Sequence, residues 1–149
     1  MRVSISVVAS VFLAACFHVD TGFRDPWHAK VAEAGIVEKT VKVGEVTLRY
    51  VEGPANGPPL LLLHAQHMDW FSYSRVLPEL SKTYRVFAVS YHGHGGTSAP
   101  PELMDAAHIG ADLATFIETV IGEPAFVTGN SSGGLLTTWL AASRPDLVR

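Results

Sequence analysis

A glycine-rich segment near the end of the chain has the residue types and spacing of a nucleophilic serine site. Its sequence is Gly129-Asn130-Ser131-Ser132-Gly133-Gly134. Glycines two residues before and two residues after Ser131 form the pattern G-x-S-x-G, in which the central serine occupies a sharp turn between a strand and a helix. Ser132 does not fit this frame, because Asn130 stands two residues before it. The pattern predicts that Ser131 is a nucleophile and that Gly129 and Gly133 allow the turn.

The elements flanking this segment are those that such a turn requires. A short apolar strand is predicted at 125–128, directly before the turn, and a helix at 133–143, directly after it. The amides at the start of that helix favour negative charge at the turn. An ordinary glycine-rich turn with unreactive serines is the alternative, and the strand and helix argue against it.

From residue 41 onward the chain alternates between strand patterns and helix patterns. The predicted elements before the turn, in chain order, are a hairpin at 41–52 broken by Gly44, a strand at 60–63, a helix at 70–82, a strand at 84–90 and a helix at 105–121. Because residues 60–63 are an unbroken apolar run, this strand is expected to be buried on both faces of a sheet, and residues 84–90 are expected to form a second core strand. The alternation predicts a doubly wound, mostly parallel α/β sheet with right-handed crossovers.

Three segments resemble sequence motifs of α/β-hydrolases and occur in the order of that family. Leu60–His64 followed by Ala65-Gln66 resembles the first core strand and its His-Gly-x loop. The segment 91–98, Tyr-His-Gly-His-Gly-Gly-Thr-Ser, is similar to the Gly-His-Gly-x-Ser loop after the next strand. The segment 127–134 resembles the nucleophile elbow. The resemblance covers about residues 41–149 and implies the N-terminal part of an α/β-hydrolase fold.

The resemblance also implies a reaction and an oxyanion site. Ser131 would attack the carbonyl of a small-molecule acyl substrate, an ester or a similar compound, and form an acyl-enzyme without any cofactor. The backbone amides of Gln66 and Ser132 would bind the oxyanion. Ala65 replaces the glycine that is usual in this loop, and its methyl group is expected to narrow the loop or shift the Gln66 amide. An Asp nucleophile, as in dehalogenases and epoxide hydrolases, is disfavoured because serine occupies the elbow.

Seven histidines offer no obvious catalytic base. His64 and His94 match family positions that mostly organise loops, whereas His67 and His92 are expected either to line the pocket or to face solvent. The spacing of His92 and His94 would allow two ligands on one metal ion. No acidic or third histidine ligand follows closely, so no metal site is expected.

The remaining members of the catalytic triad are not found after Ser131. In α/β-hydrolases the order along the chain is Ser, then Asp or Glu, then His. The residues after Ser131 include one acid, Asp146, and no histidine. Asp146 is a poor candidate because it follows the helix that begins at the elbow. We therefore expect the polypeptide that ends at Arg149 to be inactive and poorly folded by itself.

Other functions remain compatible with the same motifs. Related families with a similar N-terminal half cleave carbon–carbon bonds, remove N-terminal residues from peptides or act as cofactor-free haloperoxidases. A binding lipoprotein that retains the fold without catalysis is the main alternative to an enzyme. A metal-dependent hydrolase is a third possibility, with activity that depends on a metal and not on Ser131.

The N-terminal residues have the pattern of an export signal. Arg2 precedes an apolar stretch at 3–15, which is too short to span a bilayer comfortably. The segment Leu13-Ala14-Ala15-Cys16 resembles the lipobox of bacterial lipoproteins. We expect a signal peptide at 1–15, lipidation at Cys16, a tether at 16–40 and the hydrolase domain at 41–149. This predicts an exported protein anchored in the cell envelope; ordinary export and an uncleaved anchor are the alternatives.

Composition limits the remaining possibilities. The chain is 48% hydrophobic and 17% charged, which indicates a packed core and argues against disorder. The net charge is −3 and basic residues form no run, so no nucleic acid partner is expected. With one cysteine, the chain has no intramolecular disulfide. The oligomeric state is not predicted.

Overall fold

The structure, a computed structural model, describes residues 25–149. The predictions for residues 1–15 and for Cys16 lie outside this range. The longer elements, in chain order, are α1 Pro26–Glu33, β1 Val37–Val43, β2 Val46–Glu52, β3 Pro59–Leu63, α2 Leu77–Leu80, β4 Arg85–Ser90, α3 Ala106–Phe116, β5 Phe126–Gly129 and α4 Ser132–Ser143. Short 3₁₀ turns lie at Trp70–Tyr73, Pro101–Leu103 and Pro145–Leu147, and a π-helical turn at Ile117–Ile121 extends α3.

The five strands form one mixed sheet in the order β1-β2-β4-β3-β5. The predicted hairpin is confirmed: β1 and β2 are antiparallel, and Gly44 takes the turn between them with a φ of 55°. β2 also pairs antiparallel with β4, whereas β3 is parallel to both β4 and β5. The α/β class is confirmed, with the parallel strands grouped at the end of the sheet that carries the serine turn.

Each face of the sheet is covered by helices. On one face, Leu61 and Leu63 of β3 pack in a cluster with residues of α3 and α4. On the other face, Leu62 packs with Val31 of α1 and Leu77 of α2. The alternation of β3 between two apolar clusters explains why its sequence is a continuous run of leucine.

The segment predicted as a tether contains ordered structure. Asp25 caps α1 by accepting a hydrogen bond from the Trp27 amide at 3.0 Å, and Val31 is buried against the sheet. β1 begins at Val37, four residues before the predicted hairpin. Sequence periodicity misses this region because α1 contributes one buried side chain and the first half of β1 is exposed.

The helix predicted at 70–82 is replaced by two shorter elements. Asp69 accepts a hydrogen bond from the Phe71 amide at 2.9 Å and starts the 3₁₀ turn at Trp70–Tyr73. Pro78 lies in the first turn of α2, a position that does not need the amide hydrogen that proline lacks. The helix predicted at 105–121 is confirmed as α3 and its π-helical extension.

Candidate active site

The turn between β5 and α4 places Ser131 in a strained backbone conformation. Ser131 has a φ of 53° and a ψ of −115°. His67 is the other non-glycine residue with a positive φ among residues 25–149. Such a conformation costs about 1–3 kcal/mol and persists only where surrounding contacts impose it. Here the Asn130 amide donates to Leu63 O at 3.1 Å and the Gly133 amide donates to Asn130 O at 2.9 Å, so both sides of Ser131 are fixed.

The two glycines of the motif are required by close backbone contacts. A Cβ on Gly129 would lie 2.2 Å from the carbonyl carbon of Gly133. A Cβ on Gly133 would lie 2.0 Å from Leu63 O at the end of β3. Backbone atoms cannot rotate away as side chains can. The spacing of the motif therefore allows α4 to begin directly against the ends of β3 and β5.

The Ser131 side chain is exposed and does not cap the helix that follows it. Ser131 is exposed and occupies the N-cap position of α4, where a serine hydroxyl usually accepts a hydrogen bond from a helix amide. Its side chain makes no such capping bond. The peptide dipoles of α4 place partial positive charge at this end of the helix and favour an anion there.

Two predicted oxyanion donors line one cavity beside the turn. Gln66 and Ser132 belong to the lining of a cavity of about 210 Å³. Within residues 25–149, neither of their backbone amides donates to a protein acceptor. An oxyanion site requires backbone amides that are free to donate to a ligand. The rest of the lining is mostly apolar and includes Met104, Ala106, Ile109, Leu135 and Leu136.

The carbonyl of Ala65 anchors the loop that follows β3. Ala65 O accepts a hydrogen bond from His64 Nδ1 at 2.7 Å and from the Met68 amide at 3.1 Å. These bonds fix the peptide plane that precedes Gln66. The tight turn continues through His67, whose φ is 63°.

His64 is part of a buried aromatic cluster. Its ring is 1% exposed and stacks on Tyr91, with ring centroids 4.1 Å apart and planes within 8°. The Tyr91 hydroxyl lies 2.8 Å from Ser132 Oγ, in hydrogen-bonding contact. Burial lowers the pKa of His64 and raises the pKa of Tyr91, so both rings are held neutral. Tyr91 begins the motif-like segment 91–98, but that motif does not indicate the contact of Tyr91 with Ser132, which lies 41 positions further along the chain.

The other two loop histidines have structural contacts. His92 is buried rather than solvent-facing, and it contributes to the cavity lining. Its Nδ1 donates to Leu103 O at 2.9 Å, and its Nε2 lies 3.0 Å from Asp112 Oδ2 without good hydrogen-bond alignment. His94 Nδ1 donates to His92 O at 2.7 Å. These contacts tie the loop after β4 to α3.

Asp146 lies away from any triad role. It is exposed on the 3₁₀ turn after α4 and accepts two hydrogen bonds from the Arg144 guanidinium, at 3.0 and 2.7 Å. The Arg144 hydrogen bonds lower the pKa of Asp146. This carboxylate is already paired with Arg144 at the surface.

Residues 25–149 contain neither a cluster of possible metal ligands nor a membrane-spanning helix. Between residues 25 and 149, no three His, Cys, Asp or Glu side chains are grouped so that they could share a metal ion. In the same range, no helix is both long enough and apolar enough to cross a bilayer.

Several known proteins that are similar to this chain in sequence or structure are hydrolases. A fluoroacetate dehalogenase from Burkholderia sp is 32% identical over 119 residues, which cover 76% of this chain and 39% of the dehalogenase. A 2-(acetamidomethylene)succinate hydrolase from Mesorhizobium japonicum is 29% identical over 121 residues, covering 81% and 43%. The solved structure of a bacterial membrane phospholipase A matches with a TM-score of 0.76 and 28% identity, covering 81% and 40%.

The chain thus spans less than half the length of these relatives. The family model described as alpha/beta hydrolase fold matches residues 58–149, from the first parallel strand through the serine turn. The order of the matched elements agrees with the sheet described above. The chain belongs to the α/β-hydrolase fold family.

Proposed function

We propose that this protein is a serine hydrolase that cleaves an ester-like bond in a small acyl substrate. The observation that carries the proposal is the state of Ser131: it is a strained N-cap serine whose hydroxyl makes no capping hydrogen bond, and the backbone amide of the next residue, Ser132, is unpaired among the described residues. Strain of this kind is retained where function requires it.

The proposed reaction has two steps. Ser131 Oγ attacks the substrate carbonyl, its proton passes to a general base, and the alcohol leaves with a proton, so that an acyl-enzyme forms. Water then attacks the acyl-enzyme while the same base accepts the proton of the water and passes it to Ser131 Oγ, and the carboxylic acid is released. In both steps the amides of Gln66 and Ser132 stabilise the oxyanion, and losing one such donor typically costs about 10²–10³ in kcat.

The general base is proposed to lie outside residues 25–149. Ser131 Oγ has no hydrogen-bond partner within that range. The loop histidines His64, His92 and His94 have backbone carbonyls as their hydrogen-bond partners, and none of them is hydrogen-bonded to Ser131. We therefore propose that residues 1–149 by themselves do not turn over substrate. Loss of a triad member leaves a residual rate several orders of magnitude lower.

The residue at the elbow favours ester chemistry over the reactions of some relatives. The similar dehalogenase and the similar bifunctional epoxide hydrolase from Sus scrofa, which is 34% identical over 107 residues, are named for other substrates. This chain carries serine at the nucleophile position, and a serine oxygen forms an acyl-enzyme that water can hydrolyse. The apolar cavity wall suits a small alkyl or acyl group.

The proposal is tested by steady-state turnover of p-nitrophenyl acetate and butyrate with the full-length protein. We expect Ser131→Ala to lower kcat at least 10³-fold with no change in folding. Ser143→Ala, an exposed serine at the far end of α4, is the matched control and should keep wild-type rates. Turnover that survives Ser131→Ala and is lost to a chelator supports a metal-dependent hydrolase instead. A folded protein with no turnover of any acyl substrate supports the binding lipoprotein.

We also propose that the protein is exported and anchored through Cys16. Support comes from the sequence: the apolar stretch at 3–15 ends within the lipobox-like segment 13–16. In cells, Cys16→Ala should move the protein from the membrane fraction to the soluble envelope fraction. An unchanged membrane fraction would contradict lipidation at this residue.

A further inference from the structure

Tyr91 connects the two halves of the proposed oxyanion site. His64, Tyr91 and Ser132 each follow the end of a strand, β3, β4 and β5 respectively. The strand order places β3 between β4 and β5, so Tyr91 and Ser132 follow strands that are not neighbours in the sheet. The Tyr91 side chain nevertheless reaches Ser132 Oγ at 2.8 Å, while its ring stacks on His64 at 4.1 Å.

Each end of this contact chain is next to one of the two amides. At one end, Ser132 carries both the hydroxyl that bonds Tyr91 and an oxyanion amide. At the other end, His64 Nδ1 donates to Ala65 O at 2.7 Å, in the residue before Gln66. The contacts therefore run without a gap from one amide to the other through the Tyr91 ring, which is 3% exposed.

We propose that Tyr91 is a positioning residue that fixes the spacing of the Gln66 and Ser132 amides; this inference rests on the proposed function. It acts through Ser132 and His64 and does not itself touch the reacting atoms. A stiff aromatic ring that is itself buried and stacks on a second buried ring has few alternative positions. An oxyanion site gains its advantage from such preorganisation, because the donors then need no rearrangement during the reaction.

The test uses the full-length protein and ester kinetics. Tyr91→Phe removes the hydroxyl and keeps the ring, and we expect kcat to fall about tenfold with KM nearly unchanged, because the amides act on the transition state. Ser132→Ala removes the same hydrogen bond and should have a similar effect. The double variant should be no worse than either single variant, since all three lack one shared bond. Tyr84→Phe, whose ring packs on Phe126 at a distance from the site, is the control and should keep wild-type kinetics.

A second readout separates positioning from simple loss of stability. A trifluoromethyl ketone adds reversibly to the serine oxygen and leaves an oxyanion, whereas the matching methyl ketone binds mainly as a ground-state analogue. In Tyr91→Phe we expect the trifluoromethyl ketone to bind about tenfold more weakly and the methyl ketone to bind as in wild type. Equal weakening of both ligands, or additive losses in the double variant, would overturn the inference.

Failure of this inference is distinguishable from failure of the proposed function. If Ser131→Ala abolishes turnover and Tyr91→Phe keeps kcat within twofold, Ser131 remains the nucleophile and Tyr91 has no positioning role. If Ser131→Ala keeps turnover, the serine mechanism itself is wrong and the Tyr91 inference falls with it.

Discussion

Replacing Gly133 by alanine tests the packing that creates the serine turn. The new Cβ would lie 2.0 Å from Leu63 O and 2.7 Å from His64 O, whereas ordinary contacts begin at 3.4 Å. Both neighbours are backbone atoms at the end of β3, so α4 itself must move. Overpacking costs about 1–3 kcal/mol, and a contact with the main chain should place this variant near the upper end. A displacement of roughly 1 Å at the nucleophile also lowers activity by about 10²-fold.

Gly134→Ala is a matched control one residue further along α4. Its Cβ would meet Gly129 O at 3.5 Å, an ordinary contact. Because alanine restricts the unfolded chain more than glycine does, this variant should be more stable by about 0.4–1 kcal/mol. The assay is equilibrium urea denaturation of the full-length protein, followed by tryptophan fluorescence. Equal shifts in the two variants, or a Gly133→Ala protein as stable as wild type, would refute the packing argument.

Three further substitutions test other parts of the structure. Burial holds the pKa of His64 in the folded state below its ordinary value of 6.5. As the pH falls below about 6.5, the unfolded state therefore takes up a proton before the folded state does, and the free energy of unfolding should decrease. In urea melts at several pH values, His64→Gln should flatten this pH dependence, and the exposed control His67→Gln should not. Gly110→Ala would place a Cβ 2.2 Å from the Trp139 ring, so thermal melts should show that the free energy of unfolding falls by about 1–3 kcal/mol. Adding Trp139→Leu to this variant should recover most of that stability. Asp105→Ala removes the acceptor for two amides in the first turn of α3 and should lower the midpoint of urea denaturation, and an unchanged midpoint would contradict the capping role.

Those elements that carry a strong local pattern could be predicted from the sequence. The leucine run of β3 is apolar on both faces because each face meets a helix layer, and this is visible in the residues themselves. The glycines at 129 and 133 likewise indicate a place where two backbone segments lie close together. The family could be predicted because three such local motifs occur in order.

Features that depend on tertiary contacts could not be predicted in this way. α1 and the start of β1 are mostly exposed, so they have no apolar period although they belong to the fold. Tyr91 and Ser132 are 41 positions apart, and neither has a neighbour pattern that points to the other. Burial of His92 depends on its contacts with Leu103 O and Asp112, which only the packing of the loop on α3 brings together.

The most direct test of the account is to locate the covalent adduct of a fluorophosphonate on the full-length protein. The probe forms a bond between phosphorus and an activated serine oxygen, and tandem mass spectrometry of a digest identifies the serine. We predict a single adduct on Ser131 and none in Ser131→Ala, with folding of both proteins checked by circular dichroism. An adduct on Ser132, or a folded wild-type protein that remains unlabelled, would contradict the assignment of Ser131 as the nucleophile.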